Sequence, residues 1–228
     1  RAIADPMVEK VTEVEHLPEA WSDDEFARIM RQARSMNGLT GSHSHRGKAG
    51  KSPACVFWPA FIGTVYDVAG RYSDVFHLPT TKFDGVAGVV RMQVDKQHFE
   101  KHFELSWETV ADLRALQPFF NDRLFGDWQM SKRVLSTHYQ RFILQPAGLS
   151  CDNPERRACQ VFHKLRRTML TNITIEHGID EAQKYAGHSH QSVTRRYVDP
   201  TKLKATVSAR SMPRPVTSGL RIRDAETG

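Results

Sequence analysis

The chain has 228 residues, of which 39% are hydrophobic and 25% are charged, a globular composition that excludes a disordered or fibrous protein. No run of apolar residues approaches the ~18 that a transmembrane helix requires, so the sequence predicts no membrane span. Lysine and arginine outnumber aspartate and glutamate by 32 to 26, for a net charge of +6. This excess is modest, so whether the protein binds a polyanion depends on how the basic residues are distributed.

The cysteines and the amino terminus argue against further classes of protein. Cys55, Cys151 and Cys159 are an odd number without a CxxC pair, which argues against a disulfide framework or a zinc site and fits a reducing cytosol. The first ten residues lack the apolar stretch of a signal peptide and an initiator Met. We therefore expect a fragment of a longer protein.

The predicted elements begin after an extended lead-in over residues 1–20. The capping box Ser22-Asp23-Asp24-Glu25 predicts a helix to about Met36, where Asn37-Gly38 ends it. A basic loop then runs from Gly38 to Pro53. Two apolar helices are predicted at about 59–68 and 73–77.

The hydrophobic period then changes to that of strands. Three short strands in a meander are predicted at 82–84, 89–94 and 103–105, with polar residues 95–102 as the last turn. Helical patterns return at about 107–117, 130–145, 163–177, 180–186 and 190–197. Residues 201–228 form a tail that we expect to be mobile unless a partner holds it. The predicted fold is α+β, mostly α-helical, with a small three-stranded antiparallel sheet.

Residues 162–199 carry the chemistry. His163 and Arg166 are three apart and share one face of a helix, His188 follows a helix-ending glycine, and Tyr197 lies on the next short helix. Two histidines, an arginine and a tyrosine without a carboxylate suit neither a hydrolase triad nor a metal site. They suit an oxyanion, because the cations bind phosphate oxygens and the phenol supplies a nucleophile.

These motifs resemble those of the tyrosine recombinase (phage integrase) family. The matching stretches are HKLRRT from His163, AGHSH from Ala186 and T-x-x-Y ending at Tyr197. Upstream, AGRYSDV from Ala69 resembles the first-arginine motif of the family, although Arg71 follows the glycine directly and Asp74 replaces the usual Glu. The resemblance covers roughly residues 18–200. It implies the tyrosine-recombinase catalytic fold over 21–200, an interdomain linker over 1–20 and the absence of the family's amino-terminal core-binding domain.

The resemblance also implies the reaction. Arg71 and Arg166 neutralise the charge that builds on the non-bridging oxygens, and His188 donates a further hydrogen bond. Tyr197 attacks and forms a 3′-phosphotyrosyl bond with DNA, leaving a free 5′-hydroxyl.

Two further catalytic roles follow by resemblance. His163 assists as a base or positions the nucleophile, and Lys96 protonates the leaving 5′-oxygen, with Lys101 as a less well-placed alternative. No cofactor is implied, and no metal, because arginines occupy the role of Mg²⁺ in polymerases.

The implied partner is double-stranded DNA. A homo-tetramer on two DNA sites is expected, with a monomer when free, no membrane contact, and a prokaryotic cytoplasm with a phage or another mobile element as the source. Whether the tail packs on a neighbouring subunit or on its own domain stays open. The basic residues expected to bind DNA, drawn from several separate clusters, are Arg46, Lys48, Lys51, Arg167 and Arg195.

The predicted function is site-specific DNA recombination, by integration or excision. A type IB topoisomerase is one alternative, because it uses the same tyrosine chemistry to relax supercoils. The compact segment between His188 and Tyr197 favours a recombinase. A DNA-binding regulator that has lost cleavage is the other alternative, and the intact set of motif residues argues against it.

Overall fold

The computed structural model describes residues 19–41, 50–94, 99–128, 131–150 and 161–203. The sequence-based predictions for Arg46, Lys48 and Lys96, for the linker before residue 19 and for the tail beyond Leu203 lie outside these residues. The predicted catalytic and DNA-binding residues that lie inside them are Lys51, Arg71, His163, Arg166, Arg167, His188, Arg195 and Tyr197.

Helices form most of the described chain. The α-helices are α1 Asp23–Arg34, α2 Ala54–Asp67, α3 Tyr72–Phe76, α4 Trp107–Leu116, α5 Lys132–His138, α6 His163–His177, α7 Ile179–Ala186 and α8 Gln191–Arg195. A π-helical segment, Tyr139–Leu144, continues α5, and single 3₁₀ turns occupy Thr80–Lys82, Gln117–Phe119 and Pro200–Lys202. None of the helices in the described ranges is both long and apolar enough to cross a membrane.

Three strands form one antiparallel sheet in the order β1 (Phe83–Asp84), β2 (Val89–Val94) and β3 (Phe99–Glu104). Val90 pairs with both Phe83 and Phe103 and is fully buried, so the centre of the sheet faces the helices. The predicted α+β fold with a small three-stranded sheet is confirmed.

Helix α2 is the centre of the core. It packs against α1, α4 and α6, and its aromatic side chains Phe57, Trp58 and Phe61 are almost fully buried. The helix α1 that covers it begins as predicted, because Ser22 and Glu25 form a reciprocal capping box.

Three predicted boundaries are wrong. Helix α2 begins at Ala54 and passes through Pro59, because burying Phe57 and Trp58 outweighs the one backbone hydrogen bond that proline removes. Strand β3 begins at Phe99 rather than at residue 103, because Glu100, Lys101 and His102 pair with β2 although three consecutive polar residues give no strand pattern in the sequence. Helix α8 ends at Arg195, so Tyr197 lies just after the helix and not on it.

A small second core lies beneath the motifs that carry the family resemblance. Leu170 on α6 and Ala182 and Ala186 on α7 are buried together with Ala69, and Tyr197 packs against this cluster. This second core therefore brings the end of α2, α6, α7 and the segment after α8 to one place.

Candidate active site

Helix α6 brings the central cation to the site. His163 is its first residue, and Arg166 follows one turn later with only 6% of its surface exposed. The guanidinium Nη1 of Arg166 donates to the carbonyl oxygen of Ala69, and Nη2 lies 2.8 Å from Nε2 of His188. Arg166 therefore links α6 to the end of α2 and to the residue after α7.

The turn between α2 and α3 supplies a second arginine. Ala69 has a φ of 44°, a left-handed conformation that turns its carbonyl toward Arg166. A Cβ on Gly70 would lie 2.9 Å from Val68 Cγ2, so the tight turn requires glycine there. Arg71 follows, is exposed, and lines the same open cleft as Arg166 and His188.

His188 is held from both sides of its ring. Gly187 ends α7 in the left-handed conformation with a φ of 68°, and the side chain of Gln183 donates to the carbonyl of His188 at 3.0 Å. Arg166 can only donate, so Nε2 of His188 accepts. Nδ1 therefore carries the proton of the neutral ring and donates to Thr194 Oγ1 at 3.0 Å.

Tyr197 completes the cluster. Its ring is stacked on His188 with centroids 5.3 Å apart, and the guanidinium carbon of Arg166 lies 5.0 Å from its centroid. The backbone N–H of Tyr197 donates to the carbonyl of Thr194 at 2.8 Å, which fixes the residue against the end of α8. The phenol is therefore beside the guanidinium of Arg166, a group that can bind an oxyanion. Arg166 and Thr194 engage both ring nitrogens of His188, so in this arrangement His188 does not offer the hydrogen bond to a phosphate that the sequence predicted.

The positive charges are crowded. Burial lowers the pKa of Arg166, and Arg71 lowers it further, while Tyr197 and Asp74 oppose the shift. Burial also lowers the pKa of His163 below its ordinary 6.5, and the charges of Arg167, Arg166 and Arg71 add to the effect. An anion in the cleft would relieve this repulsion, and His163 is neutral near pH 7 and able to accept a proton.

Of the two lysines predicted to serve the leaving group, Lys101 lies in the part of the chain that the structure describes and Lys96 does not. Lys96 falls within the connection 95–98 between β2 and β3. Gln93, the last residue but one of β2, lines the cleft. Lys101 is engaged elsewhere, because its ammonium donates to the carbonyls of Lys184 and Tyr185 at 2.5 and 3.0 Å. The structure gives Lys101 a role in holding the last turn of α7, next to His188.

The predicted DNA-binding residues do not all face the cleft. Lys51 is exposed at the end of the basic loop, where its backbone N–H donates to Asp127 at 2.8 Å. Arg167 is close enough to His163 to lower the pKa of that imidazole. Arg195 bonds Gln191 at 2.9 Å and borders a separate apolar groove with Ile175 and Leu203.

Three contributors to the site are absent from the sequence-based prediction. Thr194 holds the ring of His188, the carbonyl of Ala69 holds Arg166, and Asp199 anchors the chain just after Tyr197. The Asp-Pro pair at 199–200 was the available signal, because aspartate before a proline commonly caps a short helix. Within the described part of the chain, no cluster of three or more His, Cys, Asp or Glu side chains could hold a metal.

Solved structures with the same architecture identify the fold. The XerA recombinase superposes with a TM-score of 0.60 at 18% identity, over 80% of this chain and 61% of that one. A lambda integrase (75–356) dimer bound to a COC′ core site gives 0.60 at 13% identity, over 88% of this chain and 66% of that one. The catalytic domain of bacteriophage HP1 integrase gives 0.53 at 16% identity, over 80% of this chain and 87% of that one.

The chain therefore has the fold of the tyrosine recombinase catalytic domain. It spans less than two thirds of the length of the XerA chain, at 61%, and most of the HP1 catalytic domain, at 87%. No protein-family model and no curated protein sequence matches it.

Proposed function

We propose that this chain is the catalytic domain of a site-specific DNA recombinase that cleaves and rejoins strands through a 3′-phosphotyrosyl intermediate. One observation carries the proposal: the Tyr197 ring is stacked on His188 and lies 5.0 Å from the guanidinium carbon of Arg166. Arg71 lines the same cleft as Arg166. The fold shared with XerA recombinase and lambda integrase supports the reaction class.

The proposed chemistry is a transesterification. The Tyr197 oxygen forms a bond to phosphorus, the bond from phosphorus to the 5′-oxygen breaks, and the phenolic proton passes to a base. Arg71 and Arg166 stabilise the negative charge on the non-bridging oxygens, since preorganised cations act most strongly where charge develops. Attack by the 5′-hydroxyl of another strand reverses the step. The diester energy is kept in the phosphotyrosyl bond, so the reaction needs no nucleotide cofactor.

Proton transfer falls to His163 and Lys96. His163 stands at the start of the helix that carries Arg166, and its lowered pKa keeps the imidazole neutral near pH 7. Lys96 is proposed to protonate the leaving 5′-oxygen, because the β2–β3 connection follows Gln93 at the cleft. His188 accepts a hydrogen bond from Arg166 and its ring stacks on Tyr197, so we propose that it orients the guanidinium and the phenol.

A nicked DNA duplex tests the proposal directly. A short strand beyond the cleavage site diffuses away after attack and traps the covalent adduct. Trapping of a protein–DNA adduct supports a recombinase or a topoisomerase, and strand exchange between two duplexes distinguishes them. The absence of any adduct, with DNA binding intact, would leave the non-catalytic regulator.

The pH dependence of adduct formation tests the role of His163. A base must be neutral, and both burial and its arginine neighbours lower the pKa of His163, so we expect the acid limb of the rate to lie below pH 6.5. Arg167→Gln removes one of the charges that lower this pKa, so the acid limb should move upward toward 6.5. Arg114→Gln, on α4 and bonded to the carbonyl of Gly85, is the distant control. An acid limb that stays in place in Arg167→Gln would exclude His163 as the titrating group.

The basic loop is proposed to bind the DNA backbone. Removing the charges of Arg46, Lys48 and Lys51 should reduce the steepness of log K against log [salt] by about 0.9 for each phosphate that the loop no longer neutralises. Arg34→Gln is the matched control, because Arg34 is already paired with Asp112 at 2.9 Å. A slope that the triple variant leaves unchanged would place the loop away from DNA.

Assembly on DNA is proposed to use the residues after Leu203. The apolar groove beside Leu203 exposes Ile175 and Leu203 by 44% and 43%, and the chain continues directly from it. Lambda integrase has been seen as a tetramer bound to a Holliday junction. We propose that residues 204–228 bind the same groove of a neighbouring subunit, in a homo-tetramer on two DNA sites.

Truncation after Leu203 separates cleavage from assembly. The shortened chain keeps the hydrogen bonds of Asp199 and Lys202, so single-site cleavage of nicked DNA should persist. Synapsis of two duplexes should be abolished, as measured by the mass of the protein–DNA complex in light scattering. A truncated protein that still forms tetramers and exchanges strands would show that the tail does not couple the subunits.

A further inference from the structure

Residues 19–21, the entry segment, contact both helix α6 and the residues that follow Tyr197. The N–H of Trp21 donates to Thr168 Oγ1 on α6 at 2.9 Å, and Lys202 donates to the carbonyl of Trp21 at 2.5 Å. The Trp21 side chain is 2% exposed, and the ammonium of Lys164 lies 3.7 Å from its ring centroid. The segment is thus fixed between α6 and the residues that follow Tyr197.

Asp199, two residues after Tyr197, connects this segment to the nucleophile through hydrogen bonds. One carboxylate oxygen accepts from the N–H of Ala20 at 3.0 Å, across 179 residues of sequence, and this bond is buried. The other oxygen accepts from the N–H and the hydroxyl of Thr201. The N–H of Asp199 itself donates to Thr171 Oγ1 on α6 at 2.9 Å.

The segment around Tyr197 has little regular structure of its own. Helix α8 is only five residues long and ends at Arg195, and the next turn begins at Pro200. Upstream, Tyr197 is held by its N–H bond to Thr194. Downstream, the first buried polar anchor is Asp199, two residues away. The position of the phenol over Arg166 therefore depends on what holds Asp199.

We propose that Asp199 is a positioning residue, whose hydrogen bond to Ala20 ties the entry segment to the nucleophile and sets Tyr197 beside Arg166 and His188. The link makes the placement of the nucleophile sensitive to whatever precedes residue 19. Its effect on cleavage rests on the proposed function, whereas its effect on the order of residues 197–199 does not.

The charge state of Asp199 agrees with this role. Burial alone raises its pKa, but the hydrogen bonds from Thr201 and Ala20 outweigh burial and hold the pKa below the ordinary 3.8. The carboxylate is therefore ionised at any pH at which the protein is assayed, and both oxygens are acceptors.

Asp199→Asn tests the tie with almost no change in shape. The amide keeps one acceptor but places an NH₂ group against either the Ala20 N–H or Thr201, where two donors then face each other. We expect adduct formation at saturating nicked DNA to slow about tenfold, the effect of removing one hydrogen bond to a charged group, with the DNA dissociation constant within a few-fold. Asp112→Asn, which removes the charge that pairs with Arg34 and does not line the cleft, is the control and should leave the adduct rate unchanged.

Ala20→Pro removes the same hydrogen bond from its other end. If the tie acts as proposed, the two substitutions are non-additive, and the double variant is no slower than the slower single one. Additive effects would show that each acts separately and would overturn the proposal.

Amide hydrogen exchange tests the tie independently of activity. In Asp199→Asn, the N–H groups of Tyr197 and Asp199 should exchange at least about tenfold faster, with α2 amides unchanged. Uniform acceleration across the fold would mean a decrease in global stability only and would overturn the proposal, as would unchanged exchange at both residues. If wild-type protein forms no adduct, the proposed function fails, while exchange still decides whether Asp199 holds Tyr197.

Discussion

Replacing Tyr197 with Phe is expected to abolish the covalent adduct with nicked DNA and to leave DNA binding within a few-fold of the wild type. The ring of Phe can keep the stacking on His188 and the contact with the Arg166 guanidinium, so shape and charge around the cleft are preserved. Only the phenolic oxygen is removed, and it is the atom that forms the bond to phosphorus. The measurement is denaturing electrophoresis of labelled DNA beside a binding titration.

The control for this experiment is the other tyrosine of the second core. Tyr185 packs against the same buried cluster as Tyr197, but its hydroxyl donates to the carbonyl of Asp67, and burial raises its pKa. Tyr185→Phe should therefore still form the adduct. An adduct with Tyr197→Phe, or its absence in Tyr185→Phe alone, would move the nucleophile to another residue.

Local signals explain why most elements could be predicted from the sequence. Helix α1 begins at its capping box, α6 runs from His163 to His177 before the Gly178 stop, and α7 ends at Gly187 in the left-handed conformation. The misplaced boundaries of α2 and β3 depend on tertiary packing. The start of α2 follows from burial of its aromatic residues, and the polar residues of β3 form a strand only because β2 pairs with them.

The residues of the candidate site likewise fall into those that the sequence predicted and those that depend on tertiary packing. Motif spacing in the sequence singled out Arg166, His188 and Tyr197, and the fold brings these three side chains into contact. The groups that hold them could not be predicted, because a backbone carbonyl such as that of Ala69 carries no side-chain signature, and the bond from Ala20 to Asp199 spans 179 positions. The sequence could not show which way the side chain of Lys101, the alternative lysine, points. That follows from the pairing of β3 with β2 and from the contact of Lys101 with α7.

Arg166→Lys should have the second large effect. The guanidinium of Arg166 acts as a fork, with Nη1 donating to Ala69 and Nη2 donating to His188 at 2.8 Å, while its central carbon lies 5.0 Å from the centroid of the Tyr197 ring. A lysine ammonium is a single point of charge and cannot keep both bonds and also face a phosphate. Removing one preorganised donor to a developing oxyanion costs about 2.7–4 kcal/mol, so adduct formation should slow by roughly 10²–10³-fold.

Two measurements make the result of Arg166→Lys specific. Arg196→Lys, an exposed arginine beside the nucleophile, keeps its charge without any fork to preserve and should cleave at nearly the wild-type rate. Because Arg166 is 6% exposed, urea unfolding of the lysine variant must show that it is folded under the assay conditions. DNA affinity should change little, since the positive charge remains, and the decrease should fall on the rate at saturating DNA. Near-normal cleavage by a folded Arg166→Lys protein would refute the forked role and leave Arg166 as a source of charge alone.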